Sequence, residues 1–268
     1  MRGQGRERLL YNDGMIILVM IDGLRPEAIT GERCPTLTGL MARGSYSLQA
    51  QSVMPSVTLP CHMSIFHSVP PSRHGVTTNT WSPMARPLPG LVEVAHAAGR
   101  RCAFYYNWEP LRNLSQPGHL DYVYFRNNVE SPGGDHAIAG EAMRSLPMDR
   151  PDFAFIYLGT VDVAGHAFGW MSPRYLDQAG YVDQALGSLL AALPADTHVL
   201  VQADHGGHAR THGTDAPEDM TIPWLLAGPG VRAGHALEQP VSLLDTAPTL
   251  AQLLDVRPDP QWEGKGIA

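Results

Sequence analysis

Cysteine is scarce in this sequence: 268 residues hold only Cys34, Cys61 and Cys102, with no CxxC spacing. Three such residues give no disulfide framework and read as free thiols in a reducing compartment. An excess of positive charge is missing as well. The formal net charge is −7, whereas a general nucleic-acid binder needs a basic surface to displace counterions from phosphates. No stable nucleic-acid complex is expected, but a small anionic substrate is still admitted, because a pair of divalent cations reverses the local field of a site. No apolar run approaches the ~20 residues of a membrane span, so no membrane partner is expected. The run Met15–Ile21 follows Arg2, Arg6 and Arg8 but ends at Asp22-Gly23 without a small-residue cleavage site; it reads as a buried first strand, not a signal peptide. No Ser/Gly linker, charged block, repeat or low-complexity tract divides the chain. A single domain over residues 1–268, soluble and cytoplasmic, is the expectation.

What is present is a globular composition, 44% apolar and 17% charged, enough to bury a sizeable core. Short apolar, β-rich runs occur at Met15–Ile21, Ser47–Met54, Arg101–Tyr106, Asp121–Phe125, Phe153–Leu158, Val199–Ala203 and Ile222–Ala227. Most lack strict alternation, as suits strands covered on both faces of a largely parallel sheet. Helical patterns lie between them: Pro35–Arg43, Leu59–His67, Leu91–Ala98 stopped by Gly99, Gly134–Leu146, Pro173–Leu193 capped by Ser172, and Val241–Leu254. This alternation predicts an α/β fold with a doubly wound, mostly parallel central sheet and helices on both faces. The Pro/Gly-rich stretch Pro70–Gly90 reads as a loop.

In such sheets, ligands gather beyond the carboxyl ends of the strands. Asp22, Asp162 and Asp204 all fall at or just after strand candidates, and three carboxylates on one rim would repel unless cations intervened. Each alone is more often a cap or turn residue. The joint pattern is different, because four of twelve histidines (His166, His205, His208, His212) lie in the same short region. Gly165 favours a loop for Asp162…His166, and Gly206-Gly207 permit a sharp turn after Asp204-His205. Nitrogen and oxygen ligands without thiolate suit Zn²⁺, with Mn²⁺ or Fe²⁺ as alternatives. The segment Met54–His62 joins a strand to a helix, placing Thr58 at an N-cap with Pro60 in the first turn. A helix N-terminus offers N–H groups to an anion, and a coordinated metal would turn that hydroxyl into a usable nucleophile.

Taken in order, several elements closely resemble the type I phosphodiesterase/nucleotide pyrophosphatase family of the alkaline phosphatase superfamily. They are Asp22-Gly23-Leu24-Arg25, Pro55-Ser56-Val57-Thr58-Leu59-Pro60, His74-Gly75-Val76 leading to Asn79, Asp162…His166, Asp204-His205-Gly206 and His212-Gly213. Asp245–Leu250 and Trp262–Gly266 extend the likeness to the end of the chain. The resemblance implies one ion on Asp162, His166 and His212 and another on Asp22, Thr58, Asp204 and His205. Thr58 would be ligand and nucleophile together, passing through a phosphothreonine, and Asn79 would donate to a phosphoryl oxygen. The substrate would be a small phosphate-containing anion, with phosphodiester or pyrophosphate bonds of nucleotide type cleaved. Phosphonoacetate hydrolase-like or phosphomonoesterase activity on the same centre is the alternative, and a metal- or phosphate-binding module the non-enzymatic one. A sulfatase is disfavoured, since Thr58-Leu59-Pro60-Cys61-His62 lacks both the convertible first residue and the arginine of that motif. Cys61 stands where relatives often have Asn and reads as a packed thiol; His208, with no ligand role, reads as a partner orienting a carboxylate or phosphate or as an exposed loop residue, and Arg25 as a substrate contact or a structural ion pair beside the site. Residues 80–130, rich in aromatics such as Tyr105, Tyr106, Trp108, Tyr122 and Tyr124, are a candidate substrate-lining region, although those in strand candidates read as core; Phe168, Trp170 and Tyr175 are candidates for the leaving-group side.

Overall fold

A computed structural model describes residues 14–267; the arginines at positions 2, 6 and 8 lie outside the described residues. Eight strands form one sheet in the order β4-β3-β5-β1-β6-β7-β2-β8. They are β1 (Ile16–Ile21), β2 (Ser45–Gln51), β3 (Cys102–Tyr106), β4 (Tyr122–Phe125), β5 (Phe153–Leu158), β6 (His198–Gln202), β7 (Thr221–Ala227) and β8 (His235–Ala236). The predicted doubly wound α/β fold is the one observed. β1 lies between β5 and β6, parallel to both, and β3 is parallel to β5 and β4. Only β7 runs antiparallel to its neighbours, β6 and β2.

The non-alternating runs have a physical cause. Every residue of β1, β3, β5 and β6 is buried, because helices cover both faces of the central sheet. The helices are α1 (Pro35–Arg43), α2 (Thr58–His67), α3 (Pro71–His74), α4 (Leu91–Ala97), α5 (Gly134–Asp149), α6 (Thr160–Phe168), α7 (Pro173–Ala192), α8 (Pro217–Met220) and α9 (Thr246–Leu253). Two packing groups result: α7 holds α1, α5 and α6, while α2 holds α3, α4 and α9. No helix among the described residues is long and apolar enough to cross a membrane.

Three expectations shift. The helix expected over Val241–Leu254 begins as a 3-10 turn at Leu243–Asp245 and is α-helical only from Thr246. Val241 is instead held by the sheet edge, its carbonyl accepting from Gln51 N at 2.9 Å. β2 starts two residues earlier than expected, because Ser45 pairs with Leu226. Within Pro70–Gly90 a single helical turn, α3, interrupts the loop.

The parallel register positions the site. Ile16 stands opposite both Phe153 and His198, so β1, β5 and β6 end level with one another. Asp22 continues this alignment, its N–H bonding the carbonyl of Leu158 at 3.0 Å.

Candidate metal centre

Each potential ligand is delivered by a strand end or by the segment that follows it. Asp22 leaves β1, and Gly23 then turns the chain at φ +69; a Cβ there would meet Asp162 Cα and Cβ at 3.0 Å. Only glycine lets α6 approach the end of β1 so closely. Asp204 and His205 follow β6. Asp204 Oδ1 accepts from the N–H of His205 at 3.0 Å and from Gly23 at 3.3 Å, which leaves Oδ2 to face inward. Gly206 and Gly207 serve proximity, not a left-handed turn: a Cβ on Gly206 would lie 2.1 Å from the Glu218 carbonyl, and one on Gly207 2.2 Å from the Trp170 indole.

Asp162 and His166 are helical, contrary to the loop expected from Gly165. They lie four apart on α6 and so share a face. Gly165 does not break this helix; it makes room for Trp170, whose ring would stand 2.6 Å from a Cβ.

The ligand atoms of Asp22, Asp204 and His205 lie within 4.8 Å of one another, as do those of Asp162, His166 and His212. The first group is fully buried, while the second is open on its His166 side. His205 Nε2 is 3.3 Å from Asp22 Oδ1 and 3.5 Å from Asp204 Oδ2. His166 Nε2 and His212 Nε2 lie 3.5 and 3.7 Å from the two oxygens of Asp162. The rings of His205 and His212 stack at 3.8 Å, joining the two groups.

Two features fit divalent cations. Each histidine bonds a backbone carbonyl through Nδ1: His166 to Arg210 at 3.0 Å, His205 to Gly206 at 2.8 Å and His212 to Ser56 at 2.8 Å. A carbonyl can only accept, so each ring carries its proton on Nδ1 and turns the Nε2 lone pair toward the centre. His166 Nε2 and His212 Nε2 are then two lone pairs 3.2 Å apart, a repulsive arrangement that a cation relieves. Secondly, one oxygen of each carboxylate (Asp22 Oδ1, Asp162 Oδ1, Asp204 Oδ2) is buried without a hydrogen-bond partner, which is costly unless a charge sits opposite.

The electrostatics agree. Burial, and then the neighbouring Asp204, hold the Asp22 carboxyl well above its ordinary range. Burial and Asp22 do the same to Asp162. Asp204 is pushed up to about 7, by burial first and Asp162 next. Burial drives His212 down to about 3, with His205 adding to the effect. Each shift disfavours the charged form, and bound divalent cations reverse that preference for the carboxylates.

Thr58 is nearly buried, with Oγ1 3.3 Å from His205 Nε2. It is the first residue of α2 and not its cap, which is the extended Val57. The first turn has little left to offer an anion: Pro60 has no N–H, Cys61 N bonds Val57 O, and Leu59 N donates to Asn79 Oδ1 at 2.9 Å. Asn79 is thus fixed through its oxygen, with its amide hydrogens remaining as donors.

Two residues had no assigned part in the sequence. His62, fully buried, lies 2.8 Å from the Thr58 carbonyl and 3.5 Å from Asp204 Oδ2 through Nδ1, and burial pushes it down to about 3. Its i,i+4 spacing from Thr58 was the available clue. The Tyr157 hydroxyl donates to Asp22 Oδ2; no sequence pattern links positions that far apart. Other candidates prove structural. His208 Nδ1 meets Asp219 at 2.7 Å, and Asp219 also accepts from the Thr214 N–H and hydroxyl, bracing the loop that carries His212. Arg25 pairs with Glu27 and donates to Gly207 O at 3.2 Å. Cys61 is a buried thiol 3.3 Å from the Ser52 hydroxyl, and all three cysteines are unpaired. Trp170 and Tyr175 both donate to the Gly23 carbonyl at 2.9 Å, so of the three aromatics after His166 only Phe168 is well exposed. Tyr105 and Tyr106 are core residues, whereas Trp81 is exposed.

Residues 16–219, which include every ligand candidate, match the family model for type I phosphodiesterase/nucleotide pyrophosphatase. Ectonucleotide pyrophosphatase/phosphodiesterase family member 3 of Mus musculus is 26% identical over 216 residues, covering 71% of this chain and 24% of that protein. The chain therefore spans about a quarter of the length of that curated relative. Among solved structures, an inactive form of murine ectonucleotide pyrophosphatase/phosphodiesterase 5 in complex with AMP superposes with a TM-score of 0.78 at 16% identity, over 95% of this chain and 98% of that one. A phosphonate monoester hydrolase from Silicibacter pomeroyi gives a TM-score of 0.75 at 16% identity, over 95% and 76%. At such identities the structural likeness is one of fold.

Proposed function

This chain belongs to the type I phosphodiesterase/nucleotide pyrophosphatase family, and from that premise we propose that it is a two-metal hydrolase cleaving phosphodiester or pyrophosphate bonds of nucleotide-type substrates through Thr58. One observation carries the reading: three unpartnered carboxylate oxygens and three Nε2 lone pairs converge beside a single threonine hydroxyl.

Asp162, His166 and His212 would hold one ion, and Asp22, Asp204, His205 and Thr58 the other. Two divalent cations bound there, Zn²⁺ by the ligand types with Mn²⁺ or Fe²⁺ as alternatives, would activate the hydroxyl and neutralise charge on the attacking and leaving oxygens. Thr58 Oγ1 releases its proton to solvent and attacks phosphorus in line with the departing group; the new P–O bond forms as the ester or anhydride bond breaks, freeing the leaving alcohol or phosphate and leaving a phosphothreonine. Water then attacks phosphorus from the vacated side, the P–Oγ1 bond breaks, and a proton from that water restores the Thr58 hydroxyl. Asn79, held by its bond to Leu59 N, donates its amide to a non-bridging oxygen. His62 fixes the Thr58 carbonyl, and Tyr157 fixes the outer oxygen of Asp22. The whole chain would act as one catalytic unit on a small phosphate-containing anion. Its three buried, unpaired cysteines support a reducing, cytoplasmic setting.

The test is a substrate panel on Zn²⁺- and Mn²⁺-loaded protein. Bis-p-nitrophenyl phosphate should turn over faster than p-nitrophenyl phosphate or phosphonoacetate. A faster monoester or phosphonate would move the assignment to those substrates, and no turnover at all would favour a binding module.

A further inference from the structure

The helix that carries Asp162 and His166 has no capping side chain of its own at its start. The residue ahead of α6 is Gly159, which has no side chain to cap the free N–H groups of the first turn. That part is taken by Asp135, the second residue of α5, which is fully buried. Its Oδ1 accepts from Gly159 N at 2.9 Å and from Asn107 Nδ2 at 2.8 Å. Its Oδ2 accepts from Thr160 N at 3.0 Å and from the Thr160 hydroxyl at 2.6 Å. Gln178 on α7 donates in turn to that hydroxyl at 2.7 Å. The close seat depends on Gly134, where a Cβ would stand 2.3 Å from the Asn128 carbonyl.

A buried carboxylate is costly, and this one is no ligand candidate. Four donors and the positive end of α6 offset the cost. α6 has nine residues, too few to hold a helical register unaided. A shift at its first turn displaces Asp162, its third residue, directly, and His166 with it. Asp22, Asp204 and His205 follow strands β1 and β6, and none of the Asp135 hydrogen bonds reaches them.

We propose that Asp135 is a positioning residue for the ion held by Asp162, His166 and His212: it fixes the start of α6 from a separate helix and so sets the affinity of that ion alone. The inference rests on the two-metal reading. It is tested by Zn²⁺ titration of the chelator-stripped full chain, with stoichiometry from elemental analysis. Wild type should bind two ions. Asp135→Asn should keep one at wild-type affinity and weaken the other by up to about 10-fold, the lower end of the range for direct partners of metal ligands, because Asp135 acts one residue further out. In that background His212→Ala should weaken the same ion further and spare the other, whereas Asp204→Ala should weaken the ion that Asp135→Asn leaves at wild-type affinity. Thr160→Val, which removes one donor and spares the buried charge, should act in the same direction by a smaller factor and decides the matter if Asp135→Asn does not fold. Both ions bound as in wild type, or both weakened equally, would overturn the inference while leaving the two-metal reading in place. A wild-type chain that binds no Zn²⁺ would sink the reading and the inference together.

Discussion

The two ligand groups differ in how the fold supports them. Asp22, Asp204 and His205 are buried and hang from adjacent parallel strands, so their spacing follows from sheet register. Asp162, His166 and His212 come from a short helix and a loop, and the His166 side chain is 46% exposed. The inner group is part of the core, while the outer group is an attachment to it. Loss of the inner group should therefore disturb fold and metal together, and loss of the outer group metal alone.

The largest expected effect leaves both groups intact. Thr58→Ala should lower kcat by about four to six orders of magnitude, as removal of a nucleophile does, with both ions retained; near wild-type turnover of bis-p-nitrophenyl phosphate would remove Thr58 from the chemistry. Asp204→Ala should come next, losing the inner ion and lowering the melting temperature. Elemental analysis that still finds two ions would count against the inner assignment. His166→Ala should be milder, weakening only the outer ion and leaving the melting curve of stripped protein unchanged. In wild type the outer ion should also leave first under chelation, and a chelator that strips both at one rate would erase the distinction.

A smaller effect concerns pH. The Asp204 carboxyl is raised to about 7 in the fold, above its unfolded value of ~3.9. Its contribution to stability is fully present below the unfolded value and is lost as pH rises through about 7. Asp22 and Asp162, raised by the same burial, act in the same direction. Stripped protein should therefore melt several degrees lower at pH 8 than at pH 5, and Zn²⁺ should abolish that difference by favouring the ionised carboxylates. A stripped protein whose melting temperature is flat over this range would show that these carboxyls are not desolvated together.

Much of this was legible in the sequence, for reasons that differ by element. β1, β3, β5 and β6 were readable because strands buried on both faces need continuous apolar runs. The ligand candidates were readable because strands that end level deliver the residues after them to one rim. Gly165 misled: glycine marks both a turn and a place where something packs closely, and here the indole of Trp170 was the reason. Thr58 misled by one position, since Asn79 Oδ1, twenty residues away, accepts the N–H that a capping side chain would have taken. The supporting residues were the least legible. Tyr157 and Asp135 act on Asp22 and α6 across 135 and 25 positions of sequence, and no local pattern records such a contact.

Anomalous scattering at the zinc edge from crystals of Zn²⁺-loaded protein tests the central claim most directly. Two peaks ~3.5–4 Å apart are expected, one bounded by Asp22, Asp204, His205 and the Thr58 hydroxyl, the other by Asp162, His166 and His212. Peaks elsewhere, or none among these side chains, would contradict the account.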